Sequence, residues 1–563
     1  MKKKLIYISA FIAGLFLLYT IVWFIITISI SYTMNKQYAN RKLSTQLITN
    51  SKVDYYMQFS QVSWYGFPFK LGVQIHKWCE EGSDIIIELH SPIKLGYDLL
   101  KQSAFIEYSG KAISQYKKTI SGYEPIKTES GTIFNTNNYS LIIKIPSSIK
   151  LFKVLLHQRN LFEIINFIKE IKLSSNKTQI FDLYDQTKIY DEDYTSLSLT
   201  FEKKKYYTNL ADFKNNVPQK LNIYYATKII ESNIINRKLP SGILLYLFTA
   251  PFACNIEGKF YIKTNKSLLN DVPKDYEINI ISAKTSSPIL ALDTTLLYRN
   301  KAEDNNYDTQ LQISTKIDLK PGFSDAIMYH MQHWIPYLQT STNNKLWLEE
   351  LVHINNNHEK FNLAELENRQ YLFNLDMNTL SRGNDITRAQ INNLSLFSNH
   401  TGFRATMNSK ISKLQEFDLH GHIMLNNYIK PTELIAHYIL NLGKFKTFSE
   451  ESRTVYTETI KTLLKLLSDY PDSTSDDLSF EYSLQSYNIK KGKIGTVEIN
   501  KVVPLYYLTL YNKAADHLGP NDSLAQRMQE LVPDFNEHPD FLKQLIFQPM
   551  RETDNTSTQE TIQ

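Results

Sequence analysis

The chain has 563 residues, of which 42% are hydrophobic, 21% charged and 12% aromatic, a balance that excludes a collagen, a low-complexity polymer or a wholly disordered chain. Lys and Arg number 62 against 57 Asp and Glu, and the resulting +5 is too dilute over this length to build the concentrated basic face that nucleic acid requires. Only 18 residues are Gly, well under the usual share of about 7%, which leaves little material for phosphate-cradling loops.

Lys2, Lys3 and Lys4 precede an uncharged stretch from Leu5 to Asn35, rich in Leu, Ile, Phe and Val as far as Ser31. About 20 apolar residues rising 1.5 Å each cross a bilayer core, so residues 1–35 are predicted to be a short cytoplasmic tail and one transmembrane helix. Tyr7, Trp23 and Tyr32 lie toward its ends, where amphipathic rings favour the headgroup region. A secretory leader is the alternative, with Ser29 and Ser31 as a small-x-small site, but its apolar region runs only about 7 to 15 residues. The basic cluster before the helix favours a cytoplasmic N-terminus, weighed against Lys36, Arg41 and Lys42 beyond it,. The best later apolar run, Ile243 to Cys254, contains Pro251 and is too short to cross. The chain is therefore expected to be a single-pass protein of a bacterial inner membrane, with its bulk in the periplasm.

From Val53 the period becomes two, the mark of a strand with one buried face. Val53, Tyr55, Met57 and Phe59 alternate, and so do Phe69, Leu71, Val73 and Ile75. Between them Gly66 can supply a positive φ and Pro68 withholds a donor, so Trp64-Tyr65-Gly66-Phe67-Pro68 is predicted to reverse the chain into a hairpin. Further strand-like runs are 85–89, 140–145, 197–201, 259–263, 276–281, 311–319, 371–377 and 417–425. A last hairpin is predicted from Leu478, Phe480, Tyr482 and Leu484, through Lys491-Gly492, to 494–499,. Helical periodicity is read at 151–171, at 324–338 with Ser324 as cap, at 432–470 with a break at Gly443, and at 522–532,. The predicted class is mainly β, a β-rich α+β chain of long antiparallel, twisted sheets with a few covering helices. Residues 36–330 are expected to form one β-rich exported lobe and 331–512 a second with a helical insert. C-terminal helices and a polar, disordered tail should fill 513–563.

The two cysteines, Cys79 and Cys254, could pair in an oxidising compartment, although unpaired buried thiols are the commoner outcome for lone cysteines. His330 and His333 stand one helical turn apart, with His353 and His358 further on. No carboxylate or thiolate set accompanies them, so no metal is expected. Asp191-Glu192-Asp193 and Asp476-Asp477 read as solvated loops rather than paired acid-base groups. Lys203-Lys204-Lys205 before Tyr206 and Tyr207 reads as a strand edge guarded by lysines. With no nucleophile elbow, phosphate loop or dinucleotide fingerprint, no catalytic residue and no cofactor are expected.

Trp64, Gly66, Phe67, Pro68, Phe69 and Leu71, following an N-terminal anchor, resemble the G-[FY]-P-F-[RK]-L motif of an uncharacterised proteobacterial envelope family, domain of unknown function 2125. The resemblance is best over the first 75 residues. More distantly, the layout is similar to the AsmA-like group, whose members carry long twisted sheets with an apolar concave face. That resemblance implies lipid handling between envelope membranes and brings no catalytic residues. The expectation is a non-enzymatic envelope protein that holds or guides lipid or another apolar ligand along a sheet. The alternative is an envelope scaffold that binds other proteins and no small molecule. The two differ physically: an open apolar face for the first, a closed dry core for the second.

Overall fold

The computed structural model describes residues 2–37, 39, 43–45, 55–81, 85–116, 131–145, 168–202, 220–232, 251–262, 276–303, 306–326, 367, 369–382, 385–399, 401–411, 417–440, 449–485 and 492–517. The fold is mainly β, with antiparallel ladders throughout the described pairs. The chain divides into two units, Met1–Ala326 with Glu367–Asp376, and Ile327–Leu366 with Met377–Gln563.

The first unit opens with helix α1 (Lys2–Gln37) and the short strand β1 (Leu43–Thr45), followed by the hairpin β2 (Tyr55–Tyr65) and β3 (Lys70–Glu81). The long β3 pairs with β4 (Ile85–Leu89) through one half and with β5 (Ile93–Asp98) through the other; both then pair with β6 (Ser103–Tyr116). From there each strand pairs with the next. They run through β7 (Gly131–Lys144), β8 (Glu170–Asp182), β9 (Lys188–Glu202), β10 (Lys220–Ser232), β11 (Phe252–Ile262), β12 (Tyr276–Ser286), β13 (Leu290–Glu303) and β14 (Asn306–Leu319). Residues 369–376 of β15 (Arg369–Arg382) reach β14 by side chains, Ser314 Oγ donating to Asn374 Oδ1 at 2.7 Å. After β14 the carboxylate of Glu367 accepts from the backbone N–H groups of Gly322 at 3.0 Å and Ser324 at 2.8 Å. Ser324 is thus no cap: its hydroxyl also donates to Glu367, inside a helical turn that has already begun.

The second unit holds the rest of β15, then β16 (Asp385–Ser398), β17 (Thr401–Ile411) and β18 (Phe417–Asn426), in antiparallel order from β16. Helices α2 (Ile429–Leu440) and α3 (Glu450–Leu467) follow. Ser449 caps α3 by accepting from Ser452 N–H at 3.1 Å, with Glu450 and Glu451 complementing the dipole in its first turn,. Strand β19 (Leu478–Gln485) pairs with β18, and the tiny hairpin β20 (Lys493–Ile494) and β21 (Val497–Glu498) leads into α4 (Ile499–His517). The expected returning strand 494–499 is therefore the end of one two-residue strand, a turn at Gly495, a second two-residue strand and the start of a helix. Gly495 has φ +56°, and a Cβ there would lie 1.7 Å from the Leu467 carbonyl oxygen, so the chain must turn against α3. Leu478, Phe480, Leu467 and Tyr428 form a buried cluster, sealed by Leu463, Leu464, Val502 and Leu505 from α3 and α4.

Apart from 494–499, each strand-like run read from sequence falls on a strand, and most of these strands are longer than expected: 85–89 coincides with β4, whereas 197–201 lies within a strand of 15 residues. The described part of the 151–171 reading is not helix: residues 168–169 are irregular, and Glu170 and Ile171 open β8. Residues 151–167, 327–338, Gly443, 522–532, Lys491, the Lys203–Tyr207 segment, the four histidines and the C-terminal tail lie outside the described residues.

Candidate functional site

Two features are built from the first unit; Trp64 takes part in the first and Leu71 in the second. The first is the corner between β2 and β3. Gly66 sits at φ +98°, where a Cβ would come within 2.4 Å of Lys70 Cβ, and Lys70 N–H donates to the Gly66 carbonyl at 2.7 Å. The peptide before Pro68 is cis. This corner is a docking platform for α1 as well as a turn. Trp23, 1% exposed, donates from its indole to the Lys70 carbonyl at 2.8 Å, and the Tyr19 hydroxyl donates to the Pro68 carbonyl. Phe67 meets Trp23 at 5.1 Å and Phe24 at 5.7 Å between ring centroids, and Trp64 stands 5.5 Å from each of the same two rings. Three turns further along, the Asn35 amide donates to the Val62 carbonyl at 2.6 Å and accepts from its N–H at 2.7 Å. Sequence reading gave the motif a structural role but missed this helix-to-hairpin docking. Its signal is the line of Trp23, Thr27, Ser31 and Asn35, spaced by four along one face of the helix,.

The second feature is a ribbon of apolar side chains on one face of the sheet. Residues paired across antiparallel strands share a face, so the registers can be followed from strand to strand. One row runs Leu71, Tyr97, Ala104, Ile143, Ile171, Leu199, Ile223, Gly258, Ile280, Leu296, Ile313. The next runs Val73, Leu95, Ile106, Leu141, Leu173, Leu197, Tyr225, Ile256, Ala283, Thr294, Thr315. Neither row contains a charge. A row on the opposite face reads Gln74, Lys94, Glu107, Ser140, Ser174, Ser196, Ala226, Asn255, Lys284, Asp293, Lys316. At about 4.8 Å per strand, the ten steps from β3 to β14 cover about 48 Å.

At its α1 end the ribbon is sealed: Phe59, Val62, Val73 and Ile75 are buried, with Met34 and Ala39 packed on them. Beyond that end Ile106 is 42% exposed, and Leu141, Leu173, Leu197, Ile256, Ile280 and Ile313 are half-buried. Among the described residues no helix lies over this stretch. Of the polar groups on the ribbon, burial pushes the Tyr225 phenol up, and Thr294 donates to Thr315 at 3.1 Å; the Cys254 thiol, two residues from Ile256 on β11, is pushed up by burial as well.

Cys79 on β3 and Cys254 on β11 form no disulfide with each other. Seven ladder steps separate their strands along the sheet, whereas a disulfide needs Cα atoms less than about 7 Å apart. The acidic run 191–193 lies inside β9 rather than on a loop. Glu192 is buried there and accepts from the Tyr190 hydroxyl at 2.9 Å, while Asp191 and Asp193 pair with Lys188 at 3.1 Å and Lys228 at 2.9 Å. Asp477 does lie on a loop, accepting from the Asn427 N–H at 2.9 Å. Among the described residues no three His, Cys, Asp or Glu side chains gather as a metal set.

The chain is 39% identical over 547 residues to uncharacterized protein RP478 of Rickettsia prowazekii (strain Madrid E), covering 95% of this chain and 98% of that one. It belongs to the same family. No family model and no solved structure matches. The match spans nearly the whole length of both chains.

Proposed function

We propose that this chain is a membrane-anchored envelope protein whose first unit holds and guides an apolar ligand, most simply the acyl chains of lipid, along the ribbon between β5 and β14. The observation that carries this reading is the registered pair of uncharged rows, half-buried, backed by a reverse-face row that carries Lys94, Glu107, Lys284, Asp293 and Lys316. A soluble sheet gains nothing from leaving such a surface open to water, whereas an acyl chain laid on it gains about 0.8 kcal/mol per buried CH₂. The α1 helix, long and apolar enough to cross a membrane, would put one end of the ribbon beside the lipid supply.

The bulk of the chain is assigned to the periplasmic side of an inner membrane, with no catalytic step and no nucleic acid partner. The AsmA-like resemblance agrees with this assignment in its long twisted sheets and apolar face. A scaffold without ligand is the competing reading, and the helix-sealed core of the second unit is the kind of closed body it would be built from. Native mass spectrometry of the detergent-extracted protein tests the choice: phospholipid retained in the complex is expected. Extracted protein free of lipid, together with no crosslink to lipid from a photoreactive residue at Leu197, would end the lipid reading.

A further inference from the structure

The docking of α1 on the corner fixes where the bilayer can sit on this chain. The apolar run from Leu5 to Ser31 is longer than one crossing needs, so sequence alone leaves the crossing free to slide along it,. The contacts remove that freedom. Pro68 lies level with Tyr19, Lys70 with Trp23, and Val62 with Asn35. From Lys70 onward the hairpin carries groups that hydrocarbon does not accept: the Lys70 ammonium paired with Glu107 at 3.1 Å, and Ser63 bonded to His76 at 3.0 Å,. The hydrocarbon therefore ends at about Trp23. Counting back about 20 residues returns to Lys4, so the basic cluster and the buried tryptophan bracket one crossing.

At that level the end of the hairpin layer is apolar and bare. Phe69 is 46% exposed and Leu100, on the neighbouring turn joined to it by Leu99 N–H donating to the Phe69 carbonyl at 2.9 Å, is 70% exposed. Trp64 and Phe67 flank them on the α1 side, each also well exposed. Lys94, 4.8 Å from the centroid of the Tyr65 ring, stands behind this tip as a cation at headgroup depth. On the outer side of α1, Ile25 and Ile28 lie about 3 and 7.5 Å past Trp23 at 1.5 Å per residue. Both fall in or at the edge of the headgroup layer of about 5–7 Å implied by the full bilayer thickness.

We infer that the tip formed by Phe69 and Leu100, with Trp64 and Phe67, is a wedge seated across the boundary between the headgroup layer and the hydrocarbon of the anchoring membrane, and that the bilayer crosses α1 from Leu5 to Trp23. The occupant of this apolar patch is the lipid surface itself, because the patch is continuous with α1 and level with the end of its crossing. The inference rests on α1 being in the membrane, as proposed above.

The test places a nitroxide, one at a time, at Leu17, Phe69, Leu100 and Tyr184 in the full chain carrying Cys79→Ser and Cys254→Ala, reconstituted in vesicles of phosphatidylethanolamine and phosphatidylglycerol. Tyr184, on the turn at the opposite end of the strands, is the aqueous reference. Collisions with oxygen are expected to exceed those with a water-soluble nickel chelate at Leu17, Phe69 and Leu100, and the order should reverse at Tyr184. Water-like behaviour at Phe69 and Leu100 with lipid-like behaviour at Leu17 overturns the wedge and leaves the anchor standing. Water-like behaviour at Leu17 as well removes the anchor on which it rests. Near-ultraviolet circular dichroism unchanged from the parent chain establishes that each labelled protein is folded.

Discussion

In the second unit Leu478 and Phe480 are 2% and 5% exposed because α3 and α4 lie over their face of the sheet. In the first unit Leu173 and Leu197 occupy the same kind of position, on the apolar face of an antiparallel ladder, and remain half-buried. Both sheets carry the same alternation, and both bury one residue in two more than the next. What separates them is the chain that follows. After β18 it turns into amphipathic helices that return to the sheet, whereas from β7 to β14 each described strand pairs with the next in sequence. A sealed face serves stability. An open one is available to a ligand.

Truncation should expose this difference most strongly in the sealed unit. Phe480→Ala removes a ring from a closed core and should cost about 3–5 kcal/mol, read as an earlier urea transition of the second unit; a loss below about 1 kcal/mol would mean that the helices do not seal it. Gly66→Val acts on the first unit instead. It places a β-branched side chain at φ +98° and against Lys70, for an expected cost of about 2–3 kcal/mol. The Trp23 environment in near-ultraviolet circular dichroism should change with it, and an unaltered spectrum would contradict the docking of α1 on this corner.

Glu367→Gln should cost about 1.5 kcal/mol at neutral pH, as hydrogen bonds to a charged acceptor do. The Glu367 carboxyl is held below its ordinary range: burial pushes it up, and the bonds from Ser324, Gly322 and Phe323 outweigh that. A carboxyl lowered in the folded state stabilises above its unfolded pKa, and this contribution fades as pH falls through the folded value. The gap between parent and variant in urea should therefore close on acidification; a gap constant from neutral to acid would show that charge plays no part. Leu173→Asn should have the smallest effect on folding, below about 1 kcal/mol on a half-exposed site, yet lower the amount of retained phospholipid. If Leu173→Asn unfolds the unit while Phe480→Ala is tolerated, the contrast between the two faces is reversed.

Much of the fold was legible because alternation is a local property. Leu311, Ile313 and Ile317 announce β14, and Leu478, Phe480 and Leu484 announce β19, before any partner is known. The strand β8 was not, because Ser174, Ser175, Asn176 and Lys177 interrupt the pattern where the face is wet, and the neighbouring apolar stripe was read on into Ile171 as helix. The helix α4 was hidden by Val497 and Ile499, which alternate as a strand would. The ribbon could not be read at all from one strand at a time. It is a property of register, and the register of Leu141 with Leu173 and Leu197 depends on turns many residues away. The candidate site was legible only at its anchored end, where Gly66 and Pro68 leave a chemical signature.

The paired bonds between Asn35 and Val62 and the indole bond of Trp23 pin α1 at two points about 18 Å apart at 1.5 Å per residue. Two pins stop a rod from swivelling where one would leave it a pivot. The hairpin thus cannot swing about its own foot: the direction in which β2 and β3 leave the foot is set by the helix, and their reach along it by the number of residues in each strand.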